Sequence, residues 1–259
     1  MKLISLNIWG GKVFAPLMEF IERAARDTDV FCFQEMFFGH EPRLTVLDAR
    51  ENIYEELQHA LPDFIPYPRY APEGSKFAGE LPPVRIGQAI FARKDISVTE
   101  SAGFYTYPDT SPVMQDYKIR LTGNFQYIRI IERRNEYIVG NIHGLWLPGT
   151  KGDTPERLEQ SKILLDFYSA HPGSKHILCG DFNLHPDTQS IAMLGAGGVR
   201  NLLREYGITL TRTTLYKDME KYNDPVADYA FVSPDVSVSA FRVLPDVVSD
   251  HSPLVVEFS

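Results

Sequence analysis

An α/β (α+β) fold, in one domain running over residues 1–259, is expected from three features of the chain. Short apolar runs rich in β-branched and aromatic residues recur along it. Stretches with helical periodicity lie between them. Neither a low-complexity linker nor an internal repeat divides the sequence. Runs of that length and content favour buried strands over helix fragments. A chain of 259 residues can also bury a sizeable core without disulfides or structural metal.

In chain order, strands are expected at residues 3–8, 30–33, 88–91, 127–131, 137–142, 176–179, 228–232 and 254–258. A helix is expected at 16–25, where Leu17, Phe20, Ile21 and Ala24 share a face and Pro16 suits a first turn. Another is expected at 48–61. The best-marked helix follows Thr154, a capping residue, with Pro155 at its first position and Leu158, Leu165 and Phe167 directed at the core. Shorter helices are expected near 187–194 and 199–206. Residues 62–83, which include Pro66-Tyr67-Pro68-Arg69-Tyr70, read as a long loop, and 105–122 as a second irregular stretch.

Composition narrows the class. A hydrophobic fraction of 44% with 23% charged residues belongs to a soluble globular protein rather than a disordered or fibrous one. A net charge of -8 argues against a protein that grips nucleic acid mainly through backbone phosphates, although it leaves room for a local basic groove. Cys32 and Cys179 sit in apolar stretches and read as buried free thiols, too few for a zinc site or a disulfide scaffold. No secretory leader and no transmembrane segment is evident, so a cytoplasmic location is expected.

The chemistry lies where the apolar runs end. Asn7 closes the first run and Gln34-Glu35 the second; alone, Asn7 reads first as a loop asparagine bonding to nearby backbone, and Glu35 as an exposed strand terminus or a helix-start carboxylate. Gly180-Asp181-Phe182-Asn183 is more informative. Residues two apart on an extended chain point the same way, so Asp181 and Asn183 can converge on one ion or phosphate, against the bland alternative of a tight turn. Ser249-Asp250-His251-Ser252-Pro253 precedes the last run and suits a metal ligand beside a proton-transfer group, against a capping Asp with an exposed His. His143 ends the run at 137–142, with a core histidine as the competing reading. Asp228 opens the run at 228–232, with a strand-edge turn as its competitor.

Taken in this order (Asn, Gln-Glu, His, Gly-Asp-Phe-Asn, Asp, Ser-Asp-His), the pattern resembles the endonuclease/exonuclease/phosphatase superfamily. That superfamily includes deoxyribonuclease I, exonuclease III, neutral sphingomyelinases, inositol polyphosphate 5-phosphatases and deadenylases. The resemblance covers residues 3–258. It implies a deoxyribonuclease I-like, four-layer α/β/β/α sandwich of two mixed, mostly antiparallel sheets. It also implies a Mg²⁺- or Mn²⁺-dependent hydrolase of phosphate esters that uses in-line water attack. By this resemblance Glu35 is the principal metal ligand, assisted by Asn7 and Asp250, oxygen donors suited to a hard cation. Asp181 and Asn183 position the attacking water and the phosphate, or bind a second ion. His251 transfers a proton or stabilises charge, with Asp228 fixing its tautomer. His143 contacts a phosphate oxygen or assists the leaving group. Asn183 and His143 are expected to touch substrate; Trp146, just beyond His143, is a candidate for contacting the leaving group, with packing as the equal alternative. A metal and two imidazoles together meet the charge demands of phosphoester hydrolysis.

The substrate is less determined. Abasic-site enzymes of the superfamily usually carry tyrosine near the position of His143, so the sequence leans away from that branch. Lys151, Arg157 and Lys162 follow His143, and Arg69, Lys76, Arg85 and Arg93 surround the aromatic stretch; they read as a phosphate cleft or as solvated surface charge. Phe37, Phe38, Tyr67, Tyr70, Tyr105 and Tyr107 can stack on a base or touch lipid, with packing as the default. The expected function is phosphodiesterase or phosphatase action on a small or lipid-like phosphoester. A DNA or RNA nuclease is the alternative. A silent binding relative is disfavoured, because each matched position keeps a competent residue. A monomer is expected, with a phosphoester, nucleic acid included, as its partner.

Overall fold

The computed structural model describes residues 1–45, 47–71, 84–106, 123–147, 149–217 and 224–259. Its strands are β1 (Lys2–Asn7), β2 (Val30–Phe37), β3 (Phe64–Tyr70), β4 (Ile86–Arg93), β5 (Ser97–Tyr105), β6 (Asn124–Glu132), β7 (Asn135–His143), β8 (Lys175–Asp181), β9 (Arg200–Asn201), β10 (Asp228–Val232), β11 (Val238–Val243) and β12 (Leu254–Phe258). Its α-helices are α1 (Phe14–Ala24), α2 (Ile53–Ala60), α3 (Pro155–Ser169), α4 (Gln189–Ala196) and α5 (Leu202–Glu205).

The strands form two six-stranded sheets, ordered β11-β12-β1-β2-β4-β3 and β5-β6-β7-β8-β10-β9. Each sheet has one parallel pair near its centre, β1 with β2 and β7 with β8, and is otherwise antiparallel. Alternation along the strands divides the core. Ile4, Leu6, Phe31 and Phe33 face outward onto Leu17, Phe20, Ile21 and Leu57 of α1 and α2. Leu3, Cys32 and Ile90 face inward, in one cluster with Ile128, Val139 and Leu178 of the second sheet, and with Leu164, Ile191 and Leu194 of α3 and α4. The result is the expected four-layer α/β/β/α sandwich. Cys32 and Cys179 are free and buried. No helix among the described residues is long and apolar enough to cross a membrane.

Register positions the site. The parallel pairs set Asn7 opposite Gln34 in one sheet and His143 opposite Asp181 in the other, so four strand ends open on one edge of the sandwich. Antiparallel β10 begins there, with Asp228 opposite Asp181. The partner of Ser5 is Leu254, which brings the segment just before β12 close to the end of β1.

Three expectations are corrected. Residues 62–83 are not all loop: 64–70 form β3, an edge strand paired to β4. Pro66 and Pro68 cannot donate ladder hydrogen bonds, and an edge is where a sheet tolerates that. Tyr105 closes β5 rather than opening an irregular stretch; residues 72–83 and 107–122, with Lys76 and Tyr107, lie outside the described residues. Helix α3 is capped by Thr154, whose side chain accepts from the Arg157 N–H, but its buried face is Arg157, Gln160, Ser161, Leu164 and Tyr168, with Leu165 and Phe167 only partly buried. Polar partners explain that face. The Arg157 guanidinium donates to the carbonyls of Gly152 (2.7 Å) and Thr150 (2.9 Å), and Gln160 Oε1 accepts from the Leu145 N–H (2.9 Å). The first turns of α3 therefore clasp the loop that carries Trp146 and Lys151.

Candidate active site

Glu35 stands at a β-bulge. The register of β2 against β4 shifts between Gln34 and Met36, and Glu35 itself has φ +56°, rare for a residue with a Cβ. The bulge leaves Glu35 out of the ladder and brings its carboxylate to Asn7. The Asn7 Nδ2 donates to Glu35 Oε1 at 3.0 Å and to Asp181 Oδ2 at 3.1 Å, joining one sheet to the other. Its Oδ1 accepts from the Trp9 N–H at 3.0 Å, so the amide nitrogen is the atom that faces the carboxylates. Beneath the bulge lies a fully buried polar stitch: Gln34 Nε2 donates to Asn141 Oδ1 (2.6 Å), and Gln88 Nε2 to the Asn141 carbonyl (2.7 Å).

From the second sheet come His143 and Asp181. His143 Nε2 lies 3.8 Å from Glu35 Oε1 and 3.9 Å from Asp181 Oδ2. Asp181 and Asn183 do meet, but through a turn and not through strand alternation. β8 ends at Asp181, Asn183 has φ +57°, and the Asn183 N–H donates to Asp181 Oδ1 at 2.8 Å. Asn183 Nδ2 then donates to the Gly144 carbonyl (3.3 Å) and its Oδ1 accepts from Lys151. Gly180 permits the approach of β7 to β8 here: it has φ +138°, and a Cβ would lie 2.0 Å from the Ile142 carbonyl oxygen. Burial by itself raises the Asp181 carboxyl, but the positive charges of His251, His143, Arg212 and Lys151 outweigh it and hold the group well below the usual carboxylate range.

His251 and Asp228 form a buried pair. His251 Nδ1 is 2.9 and 2.8 Å from the two carboxylate oxygens, and the Thr211 hydroxyl donates to Asp228 Oδ2 at 2.9 Å. The other ring nitrogen, Nε2, lies 3.6 Å from Asp181 Oδ2 and touches Arg212 Nη1. Burial and Arg212 push His251 toward the neutral form; Asp228, Asp250 and Asp181 outweigh them and raise its pKa. Protonation at Nε2 therefore requires the guanidinium to shift. Asp250 is raised too, chiefly by burial, with Glu35 and Asp181 adding repulsion against the opposing pull of His251 and Arg212.

These groups border a cleft of about 180 Å³. Glu35, Asp181, Asp250, Asn183 and His251 line it together with Lys151, Arg212, Trp9, Trp146 and Tyr216. Asn7, His143 and Asp228 stand behind this wall. Among the described residues, one grouping able to hold a metal ion is Glu35, His143 and Asp181, with donor atoms within 4.8 Å of one another; Asn7 hydrogen-bonds to two of the three, and Asp250 lines the same cleft as Glu35 and Asp181.

Arg212 and Asp224 have no precedent in the sequence reading. Asp224 is fully buried, 3.6 Å from Arg212 Nη2, 3.8 Å from Lys151 Nζ and 3.8 Å from His185 Nδ1. Neither residue follows an apolar run, so no local signal marks them. The only sequence cue is an arginine in a Thr-rich loop, Thr211-Arg212-Thr213-Thr214. Of the other cations weighed for a phosphate cleft, Arg157 is buried structure and Lys162 is exposed. Arg69 donates to Asn124 (2.7 Å), Arg93 donates to the carbonyls of Ala25 and Thr28 (2.7 Å each), and Arg85 stacks on Tyr70. Phe38 and Tyr70 pack against each other (4.7 Å between centroids), and Phe38 also packs on Tyr54 (4.8 Å).

A sequence model of the Endonuclease/Exonuclease/phosphatase family matches residues 4–251. No curated protein matches the chain by sequence. Solved structures that superpose over 100% of this chain include the following three. An endonuclease/exonuclease/phosphatase family protein from Bacteroides thetaiotaomicron has TM-score 0.71, 18% identity and 97% of its own length covered. A mannosyl-6-phosphatase from Bacteroides thetaiotaomicron VPI-5482 has TM-score 0.70, 18% identity and 99% covered. D. rerio TDP2 in complex with a single-strand DNA product has TM-score 0.64, 16% identity and 98% covered. At such identities these likenesses speak to the fold.

Proposed function

The chain belongs to the endonuclease/exonuclease/phosphatase family, a family of metal-dependent phosphoesterases, and on that footing we propose that it hydrolyses a small phosphate ester in one domain spanning residues 1–259. The observation that carries the reading is the convergence of Glu35, Asp181 and Asp250 with the His251–Asp228 pair on a single cleft. Likeness to a mannosyl-6-phosphatase supports the small-substrate form.

The donor set fits a hard divalent cation. Three carboxylates and an asparagine gather at the site, and burial with repulsion from its neighbours holds Asp250 above its ordinary value, a strain that a cation among these oxygens relieves. Glu35 and Asp250 would hold Mg²⁺ or Mn²⁺; Asn7, expected as a ligand, turns its amide nitrogen to the carboxylates and would orient Glu35 and Asp181, since its oxygen is held by the Trp9 N–H. A bound ion supplies Lewis-acid neutralisation of the phosphoryl oxygens.

The chain's own residues account for the rest. Asp181, kept ionised, orients the attacking water as a hydrogen-bond acceptor. Asn183 positions the phosphate through its amide. His251, with Nδ1–H held by Asp228, presents Nε2 to the phosphoryl oxygens as proton donor or charge stabiliser once the Arg212 guanidinium has moved off it. His143, behind the cleft wall at 3.8 Å from Glu35 and 3.9 Å from Asp181, is assigned to assist the leaving-group oxygen, and Trp146, which lines the cleft, to pack against the leaving group.

Nucleic-acid cleavage is a second reading, favoured by likeness to TDP2 with its single-strand DNA product and by the Trp9, Trp146 and Tyr216 rings, a surface type that stacks on bases. A Mg²⁺/Mn²⁺ panel of nitrophenyl phosphates, sugar phosphates, sphingomyelin, inositol phosphates and oligonucleotides tests both. Turnover of a small ester that EDTA and Glu35→Ala abolish is expected. Turnover of oligonucleotides alone, with binding that weakens steeply as salt rises, favours the nuclease. No turnover of any phosphoester removes both readings.

A further inference from the structure

We infer that Arg212 and Lys151 make this cleft selective for a terminal phosphate, the dianionic group of a phosphomonoester, over the singly charged phosphate of a diester. The inference rests on the phosphoesterase reading and narrows its substrate.

Both cations line the cleft and both are nearly buried: Arg212 is 5% exposed, and the Lys151 side chain 10%. Their shared carboxylate, Asp224, lies 3.6 and 3.8 Å away, and Asp250 lies 3.7 Å from Arg212 Nη1, each close enough for attraction but beyond hydrogen-bond length. Donors are therefore left over. Arg212 Nε has no hydrogen-bond partner among the described residues. The Lys151 ammonium carries three N–H groups and, among the described residues, hydrogen-bonds to Asn183 Oδ1 alone. Unspent buried donors on cationic side chains are what phosphoryl oxygens satisfy, and a guanidinium matches two of them at once.

Charge decides between ester classes. Glu35, Asp181 and Asp250 line the same cleft and repel an anion, so the preference belongs to the protein with its divalent ion bound; attraction to Arg212 and Lys151 then grows in proportion to ligand charge and is little screened there. A terminal phosphate near neutral pH carries close to two negative charges and three unsubstituted oxygens; a diester carries one charge and two such oxygens. Arg212 also places that group correctly, because its Nη1 rests against His251 Nε2 and its backbone pairs with that of His251. A phosphoryl group drawn to Arg212 arrives beside the imidazole.

The test uses the full-length, Mg²⁺-loaded protein and two readouts, calorimetric binding of inorganic phosphate and dimethyl phosphate, and turnover of p-nitrophenyl phosphate and bis-p-nitrophenyl phosphate. Phosphate is expected to bind at least about tenfold more tightly than dimethyl phosphate, the scale of one charge-assisted hydrogen bond. Arg212→Met should weaken phosphate binding by about tenfold and monoester kcat/KM in proportion, while the diester values move less than about threefold. Arg212→Lys should recover part of the loss. Lys151→Met, which leaves the Arg212–His251 contact in place, repeats the test if Arg212→Met lowers the melting temperature too far. Equal binding of the two anions, or an equal loss of both in the variants, overturns the inference. Selective phosphate binding without turnover of either ester would sink the hydrolase reading and leave the anion selectivity standing; turnover of both esters without anion preference would do the reverse.

Discussion

His251 and Asp228 are bound through both carboxylate oxygens, with Nδ1 at 2.8 and 2.9 Å, although 23 positions separate them in the chain. The pair fixes which ring nitrogen points at the cleft. Asp228→Asn keeps the shape and removes the charge that holds the tautomer, so kcat should fall by about two to four orders of magnitude with the melting temperature little changed. A variant retaining more than a third of wild-type kcat would show that the pair has only a packing role.

Metal binding should depend on Glu35. Its carboxylate is set by the bulge and by Asn7, and Glu35→Ala leaves that hydrogen bond without an acceptor. Calorimetric titration with Mn²⁺ should show affinity reduced by roughly 10–100-fold, and EDTA should silence the wild type. Unchanged Mn²⁺ affinity counts against the proposed ligand set.

The stitch under the bulge joins stability to activity. Gln34→Leu removes the donor to Asn141 Oδ1 and leaves a fully buried oxygen unsatisfied, at about 1–3 kcal/mol in urea denaturation. Because Gln34 precedes Glu35, kcat should also fall, by up to about a hundredfold. Loss of stability with full kcat would mean that the bulge holds its shape without the stitch.

Gly180→Ala is expected to be poorly tolerated. It combines φ +138° with a Cβ 2.0 Å from the Ile142 carbonyl oxygen, backbone that cannot swing aside. The strained φ alone costs roughly 1–3 kcal/mol, before β7 and β8 are forced apart. A melting temperature equal to wild type would contradict the close packing of these strands.

His176 should make the fold acid-sensitive. Burial lowers its pKa, helped by His171 and Arg129 and opposed by the His171 carbonyl and Asp235. The folded protein therefore binds this proton less readily than the unfolded chain, whose histidine titrates near about 6.5. Stability from the neutral ring is complete above that pH and is lost as pH falls through the lower folded value. His176→Gln should bring the melting temperature of the variant and the wild type closer together between pH 7.5 and 5. A gap that does not change with pH would refute the assignment.

The eight strands legible in the chain are β1, β2, β4, β6, β7, β8, β10 and β12, the interior strands of the two sheets; β3, β5, β9 and β11, which were not, are the four edges. Covered on both sides, an interior strand needs a nearly continuous apolar run. An edge strand such as β5, with Ser97, Glu100 and Ser101 exposed, can be mostly polar, and one such as β3 can even carry two prolines.

The site divides in the same way. Asn7, Glu35, His143, Asp181 and Asp228 could be read locally because each ends or opens an apolar run, and the Asp250–His251 pair because it precedes one. Their meeting at one edge, the left-handed turn at Glu35, and the arrival of Arg212 and Asp224 come from strand register and loop packing between segments far apart in the chain. A side chain's type is a local property. The company it keeps is set by which backbones pair, and no single stretch of residues encodes that.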